Sequence, residues 1–206
     1  MVRLILIQLI FLAFVSCENR KSLAKSDIDL PKGESSKIST DAIFGDTSYK
    51  LTLTTFDSTT QDPDSFNAIL TFYRQFQNET ITFFKDSLYC MYPNIEFQDF
   101  NNDQVKDVLV FNYTGGRSNP TYYLYLVNEK ENSLIRVNGF EQLPNPDLDS
   151  TNNIITSIAL SGANHYAFYR INNHGNLINL QHDFFENPKD STQYSNAIKQ
   201  ILNEAP

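Results

Sequence analysis

Tryptophan is absent from this chain, and histidine, cysteine and methionine number only three, two and two among 206 residues. The three histidines, His165, His174 and His182, form neither an H-x-x-x-H nor an H-E-x-x-H pattern, so the local motif of a zinc hydrolase is missing. His182 and Asp183 are chain neighbours, which is surface spacing and not the geometry of a triad. No G-x-S-x-G elbow and no glycine-rich phosphate loop occurs. Positive charge is also short: 16 Lys and Arg stand against 24 Asp and Glu, a formal net charge of −8. Nucleic-acid binding calls for basic patches, so the balance argues against it. Net acidity instead suits encounter with a basic protein. Acidic residues such as Glu96, Asp99 and Glu141 are scattered, and a carboxylate pair could be assembled only by folding. The expectation is a binding protein and not an enzyme.

Long apolar runs are missing except at the start. Met1-Val2-Arg3 precedes an apolar stretch from Leu4 to Val15, broken by Gln8, and then Ser16-Cys17. A charged start, a short apolar region and a small residue read as an export signal. It is too short for a spanning helix, which needs about 20 apolar residues. Phe14-Val15-Ser16-Cys17 resembles a bacterial lipobox, with Phe14 where Leu is usual. That resemblance implies a signal peptide over residues 1–16 and a lipid on Cys17, anchoring the protein to a membrane of the bacterial cell envelope, in the periplasm or at the cell surface. Cys90 is then left without an intramolecular partner. Its neighbours, Leu88-Tyr89-Cys90-Met91-Tyr92, place it in the core, away from intermolecular pairing.

Residues 17–45 are polar, mixed in charge and without period, as in a flexible tether. As a coil such a tether spans roughly 30 Å. The domain is expected over residues 46–206. There, Phe and Tyr are abundant and alternation begins. Tyr49, Leu51 and Leu53 interleave with Lys50, Thr52 and Thr54, a strand pattern. Residues 69–74 and 81–84 flank Gln77-Asn78-Glu79 as a hairpin; a helix over residues 65–77 competes, weakened by Thr71, Phe72 and Tyr73. Further strands are expected at 95–97, 107–113, 122–128, 134–137, 154–160, 166–171 and 177–181. Turn residues separate them at Gly115-Gly116, Asn119-Pro120, Pro144-Asn145-Pro146 and Asn172-Asn173-His174-Gly175. A short helix over 194–202 closes the chain. The fold class is all-β: a small antiparallel domain of short hairpins, propeller-like or a sandwich.

One nine-residue run stands out: Asp99-Phe100-Asn101-Asn102-Asp103-Gln104-Val105-Lys106-Asp107. Oxygen donors at positions 1, 3, 5, 7 (through the backbone) and 9 can wrap a hard divalent cation. The ligands would be Asp99, Asn101, Asp103, the Val105 carbonyl and Asp107, and the ion calcium. Asn and Asp also favour plain polar turns, which is the competing reading. The loop joins two strands, not two helices.

The order of features over residues 47–185, and most specifically 95–126, resembles the calcium-loop family of bacterial periplasmic lipoproteins that includes immunity proteins against lysozyme-like effectors. That family is akin to the periplasmic inhibitors of invertebrate-type lysozyme. The matching stretches are Ile95 through Asp103 with Asp107-Val108, Gly115-Gly116 to Asn119, Tyr122-Tyr123-Leu124-Tyr125 and Leu143-Pro144-Asn145-Pro146. The resemblance implies a propeller-like antiparallel domain, the calcium ligands named above, and a protein partner, a lysozyme-like hydrolase, blocked by a loop entering its cleft. Gln104 departs from the family, where Gly meets the positive φ of the turn. Val110 stands at the twelfth position, where a bidentate Glu would close the coordination sphere. Both imply weak binding, as at extracellular sites working at roughly 10⁻⁴–10⁻³ M.

A glycosidase cleft holds two carboxylates, so uncharged or basic donors suit its blocker. Two segments offer them: Thr114 followed by Gly115, Gly116, Arg117, Ser118 and Asn119, and Ser161, Gly162, Ala163, Asn164, His165 and Tyr166. Each is alternatively an ordinary hairpin turn. A second function class is an envelope glycan-binding or scaffolding module, with Tyr122, Tyr123 and Tyr125 as a stacking platform, although alternation turns Tyr123 away from the other two. A repeat-type propeller would need several D-x-N-x-D loops, and one is present. Asn78-Glu79-Thr80 and Asn112-Tyr113-Thr114 match the N-glycosylation sequon, read as coincidence in a chain whose start resembles a bacterial lipobox. Asp57-Ser58-Thr59, Asp149-Ser150-Thr151 and Asp190-Ser191-Thr192 resemble a short bacterial O-glycosylation acceptor.

Overall fold

The structure, a computed structural model, describes residues 34–40, 44, 46–56 and 66–204. The export signal, Cys17 and Asp57-Ser58-Thr59 lie outside the described residues. Three antiparallel sheets follow one another along the chain, none closed into a barrel. The first is a meander of β1 (Glu34–Thr40), β2 (Tyr49–Phe56), β3 (Ala68–Phe76) and β4 (Glu79–Leu88). The second is a meander of β5 (Ile95–Gln98), β6 (Asp107–Gly115), β7 (Asn119–Asn128) and β8 (Ser133–Arg136). A single 3-10 turn at Phe140–Gln142 leads to the third, made of β9 (Pro146–Asp149), β10 (Ile154–Ala159), β11 (His165–Ile171) and β12 (Leu177–Asn179). Its short fifth strand, β13 (Phe184–Phe185), pairs with the first residues of β11, and β12 with the last. Helix α1 (Gln193–Glu204) ends the chain.

Side-chain alternation explains how the sheets stack. Leu51, Leu53, Leu70 and Phe72 of the first sheet share a core with Val108, Val110, Tyr123 and Tyr125 of the second. The intervening Leu109, Leu124 and Leu126 point the other way, into a second core with Ile155 and Ile171 of the third sheet, Phe100 and Phe140. The middle sheet is therefore buried on both faces, and Val108-Leu109-Val110-Phe111 reads as an unbroken apolar run. A third core joins Ile154 and Phe168 to Ala197 and Ile201 of α1. The first two sheets are also tied by a polar bridge. The Arg136 guanidinium meets Asp86 at 3.0 Å and Glu141 at 3.6 Å, and the Tyr125 hydroxyl donates to Asp86 at 2.9 Å. Cys90 is buried; its thiol donates to the Tyr92 carbonyl, and burial pushes its pKa up to about 11.

Four differences from the sequence reading go beyond a few residues at an element's end: β7 begins at Asn119, so Asn119-Pro120 is strand and not turn, β13 has no counterpart in that reading, and β1 and β9 fall where it has a tether and a turn. The composition of residues 17–45 reads as tether throughout, yet β1 lies inside that stretch and pairs with β2 from Glu34↔Phe56 to Thr40↔Leu51. An edge strand is held on one side by backbone hydrogen bonds, and the Ser, Thr and Lys of β1 are edge residues that leave no apolar alternation. The Pro144–Pro146 turn ends as β9, an edge strand whose first residue is a proline, a position where no ladder N–H is needed.

Candidate functional site

The nine-residue acidic loop is built by its own carboxylates. Asp99 accepts the backbone N–H of Asn102, Asp103 and Gln104, at 2.7, 3.3 and 2.8 Å. Asp103 accepts the Val105 N–H at 2.8 Å and the Asn101 side-chain amide at 2.8 Å. These bonds wind the chain tightly enough to force Asn102 and Gln104 into the left-handed region, at φ 61° and 73°. Gln104 thus stands, as a non-glycine, where positive φ is required. Asp107, fully buried, pins the loop to the sheet: its two oxygens accept the N–H of Phe100 at 2.9 Å and of Val127 at 3.1 Å. Burial is the main cause that lifts its pKa to about 7, and the charges of Asp103 and Asp99 raise it further against those two hydrogen bonds.

Among the described residues, no three Asp, Glu, His or Cys side chains converge to hold a metal ion. The donor chemistry nevertheless suits a hard cation. Each carboxylate has about four lone-pair sites; Asp107 and Asp103 each use two and Asp99 three. Mutual repulsion among the three is what a cation would relieve. The outer side of the loop opens on a cleft of about 350 Å³, lined by Asn101, Asp103 and Val105 with Asn128, Glu129 and Gly175. Asn102 reaches across to the Ser150 carbonyl at 3.1 Å, so the β9–β10 turn sits beside the loop.

In a meander successive turns fall at opposite ends, so the β6–β7 and β10–β11 turns lie away from the acidic loop. The structure brings these two turns together, and Asn119 does it. Its side-chain amide donates to the Leu160 carbonyl at 3.0 Å and its oxygen accepts the Leu160 N–H at 2.8 Å. That oxygen also accepts from the Asn145 side chain at 2.9 Å, and Asn145 donates to the Ile158 carbonyl at 2.8 Å. Residues 114–119 and 160–164 therefore form one rim. Gly116, Arg117 and Ser118 are exposed at its tip. Arg117 and Ser118 have φ of 67° and 55°, a backbone conformation that costs each about 1 kcal/mol and is found at functional loops. Gly115 underlies the Tyr113 ring: an added Cβ would sit 3.7 Å from it. In the second turn Ser161 and Gly162 are exposed. The Ser161 hydroxyl donates to the Ala163 carbonyl, and Asn164 accepts the Ser161 N–H at 3.1 Å while donating to Glu186 at 2.7 Å.

Two residues of that segment lie off the tip. His165 pairs with Asp183 at 3.1 Å and lies against Phe185. Tyr166 stacks on Phe184, with ring centroids 4.9 Å apart, against the core shared with α1. The three-tyrosine glycan platform does not form, and the odd residue out is Tyr122, not Tyr123 as the sequence reading has it: a period of two puts Tyr123 and Tyr125 on one face, which the first sheet covers, leaving them 6% and 0% exposed, while Tyr122 on the other face is half-exposed. Sequence reasoning missed the Asn119–Asn145 clamp, which joins residues far apart in the chain and has no local signature. It also missed exposed Tyr92, which stacks on Phe111 at 4.0 Å, and exposed Tyr113 beside the rim.

No family model and no curated protein matches this chain. One solved structure similar to it is described as "Structure of a Xanthomonas Type IV Secretion System related protein", with 16% identity, a TM-score of 0.45, and coverage of 75% of this chain and 83% of that one. A likeness that distant carries no inference about function.

Proposed function

We propose that this chain is a lipid-anchored cell-envelope protein that inhibits, or gives immunity against, a lysozyme-like peptidoglycan hydrolase, using the rim of residues 114–119 and 160–164. The observation that carries this reading is the Asn119 clamp, which makes one surface of two hairpin tips. Neither tip contains an Asp or Glu, in a chain whose net charge is −8. A hydrolase cleft with two carboxylates favours such a surface: the Arg117 guanidinium can pair with a carboxylate in two parallel hydrogen bonds, and the Ser118 hydroxyl can donate to the other. Occupied that way, the cleft admits neither sugar nor water. The family resemblance in the sequence supports the choice of partner, and the lipobox supports anchoring through Cys17.

Calcium, in this reading, is a structural clip held by Asp99, Asn101, Asp103, the Val105 carbonyl and Asp107. It neutralises the acidic loop and stiffens the end opposite the rim. Asp103→Ala should abolish the calcium-dependent rise in melting temperature; a wild-type protein indifferent to calcium and to chelator would remove the clip from the account. The partner reading is tested by titrating residues 17–206 into a panel of lysozyme-type hydrolases. Inhibition of one, weakened at least tenfold by Arg117→Glu, is expected. Absence of inhibition and binding at micromolar concentration across the panel would overturn it.

A further inference from the structure

The tripeptide Asp-Ser-Thr occurs three times in this chain, where chance ordering of its composition gives well under one. The first copy, Asp57-Ser58-Thr59, lies outside the described residues. The other two occupy unrelated places, the β9–β10 turn and the segment entering α1, yet share one local structure. In each the Asp carboxylate turns back on the backbone N–H of the Thr: Thr151 to Asp149 at 3.0 Å, and Thr192 to Asp190 at 2.9 Å. That closure puts the middle residue at the apex. Ser150 and Ser191 are both exposed, and among the described residues neither hydroxyl has a hydrogen-bond partner. At the second copy the Thr hydroxyl is already engaged, with Asp190 at 2.7 Å and Asn196 at 3.1 Å, which leaves the serine as the free nucleophile.

We propose that Ser150 and Ser191 are O-glycosylation sites, an inference that rests on the envelope reading because the sugar would be added outside the cytoplasm. The serine Oγ attacks the anomeric carbon of an activated glycosyl donor, a sugar held through phosphate on a lipid carrier. The new bond is carbon to Oγ. The bond that breaks joins the anomeric carbon to phosphate oxygen; the phosphate leaves with the electron pair, and the serine proton passes to a base of the transferase. A neutral sugar fits the surroundings better than a phosphate would. Ser150 lies beside the acidic loop, its carbonyl 3.1 Å from the Asn102 amide, and two further negative charges there would add to that of Asp149, its chain neighbour.

The chain carries its own control. Asp86-Ser87 is also an Asp-Ser step, but it lies within β4, Ser87 is half-buried, and Asp86 is bound by Arg136 and Tyr125. It cannot be presented to an enzyme without unravelling a strand, so it should stay bare.

The test is intact-mass and peptide mass spectrometry of the protein purified from its source organism, as wild type and as Ser150→Ala, Ser191→Ala and Ser87→Ala. Equal sugar increments are expected on the peptides carrying Ser150 and Ser191. Each should vanish with its own substitution, and Ser87→Ala should change nothing. The two tip hydroxyls hold no structure together, so loss of the increment cannot be attributed to misfolding. A processed N-terminus with bare Ser150 and Ser191, or with phosphate or sugar only at other positions, overturns the inference and leaves the envelope reading standing. Retention of residues 1–16 in the mature protein overturns both.

Discussion

Gln104 shows how much one side chain can cost. It sits at φ 73° because three N–H groups converge on Asp99, and an L-residue there costs about 1 kcal/mol relative to glycine. Gln104→Gly should raise stability in urea by up to about 0.6 kcal/mol, the relief of strain being largely offset by the greater freedom of glycine in the unfolded chain; calcium affinity should rise with it. A fall in stability would mean that the Gln104 side chain makes a contact worth more than the strain. Asp107 gives a pH signature. Its pKa, lifted to about 7 chiefly by burial, compares with about 3.9 when unfolded. Between roughly pH 4 and 7 the folded chain therefore keeps a proton that the unfolded chain has released, and this group's contribution to stability falls as pH rises through that window. In chelator, the urea midpoint of wild type should drop from pH 5 to pH 7.5 more steeply than that of Asp107→Asn. The variant should itself be less stable by about 1–3 kcal/mol, since its amide can accept only one of the two backbone N–H bonds. Equal slopes would show that Asp107 titrates normally.

At the scale of elements, most strands were legible because their apolar residues alternate or run together. Tyr49, Leu51 and Leu53 announced β2, and Val108 to Phe111 announced the doubly buried β6. The elements that escaped are edges. β1 and β9 are held by one neighbour each, so backbone pairing rather than burial specifies them, and pairing leaves little trace in side chains. The acidic loop was readable for the opposite reason: all its oxygens come from nine consecutive residues. The rim was only half readable. Its turns carry glycine and asparagine, but that they meet depends on Asn119, Asn145 and Leu160, which folding alone brings together. Asn119→Ala tests that junction, since it strands the Leu160 N–H and carbonyl and the Asn145 amide. It should cost about 1–3 kcal/mol and speed amide exchange in residues 160–164 as well as in its own hairpin. Faster exchange confined to residues 114–119 would show that the two turns are independent.

At the scale of the whole molecule, the described residues present two ends, set apart by the length of the strands. One carries the acidic loop and the cleft beside it; the other carries the rim, whose two tips hold no Asp or Glu and which meets the Glu186 carboxylate at Asn164. On the proposed function, cation binding serves stability and the rim serves recognition, so the two should come apart in one experiment. Amide hydrogen exchange of residues 17–206 with and without an inhibited lysozyme-type hydrolase measures that directly. The account predicts slowed exchange in residues 114–119 and 160–164 on complex formation, with residues 99–107 unchanged by the hydrolase and slowed only by calcium. Protection by the hydrolase at residues 99–107, with the rim left as free as in the protein alone, would contradict it.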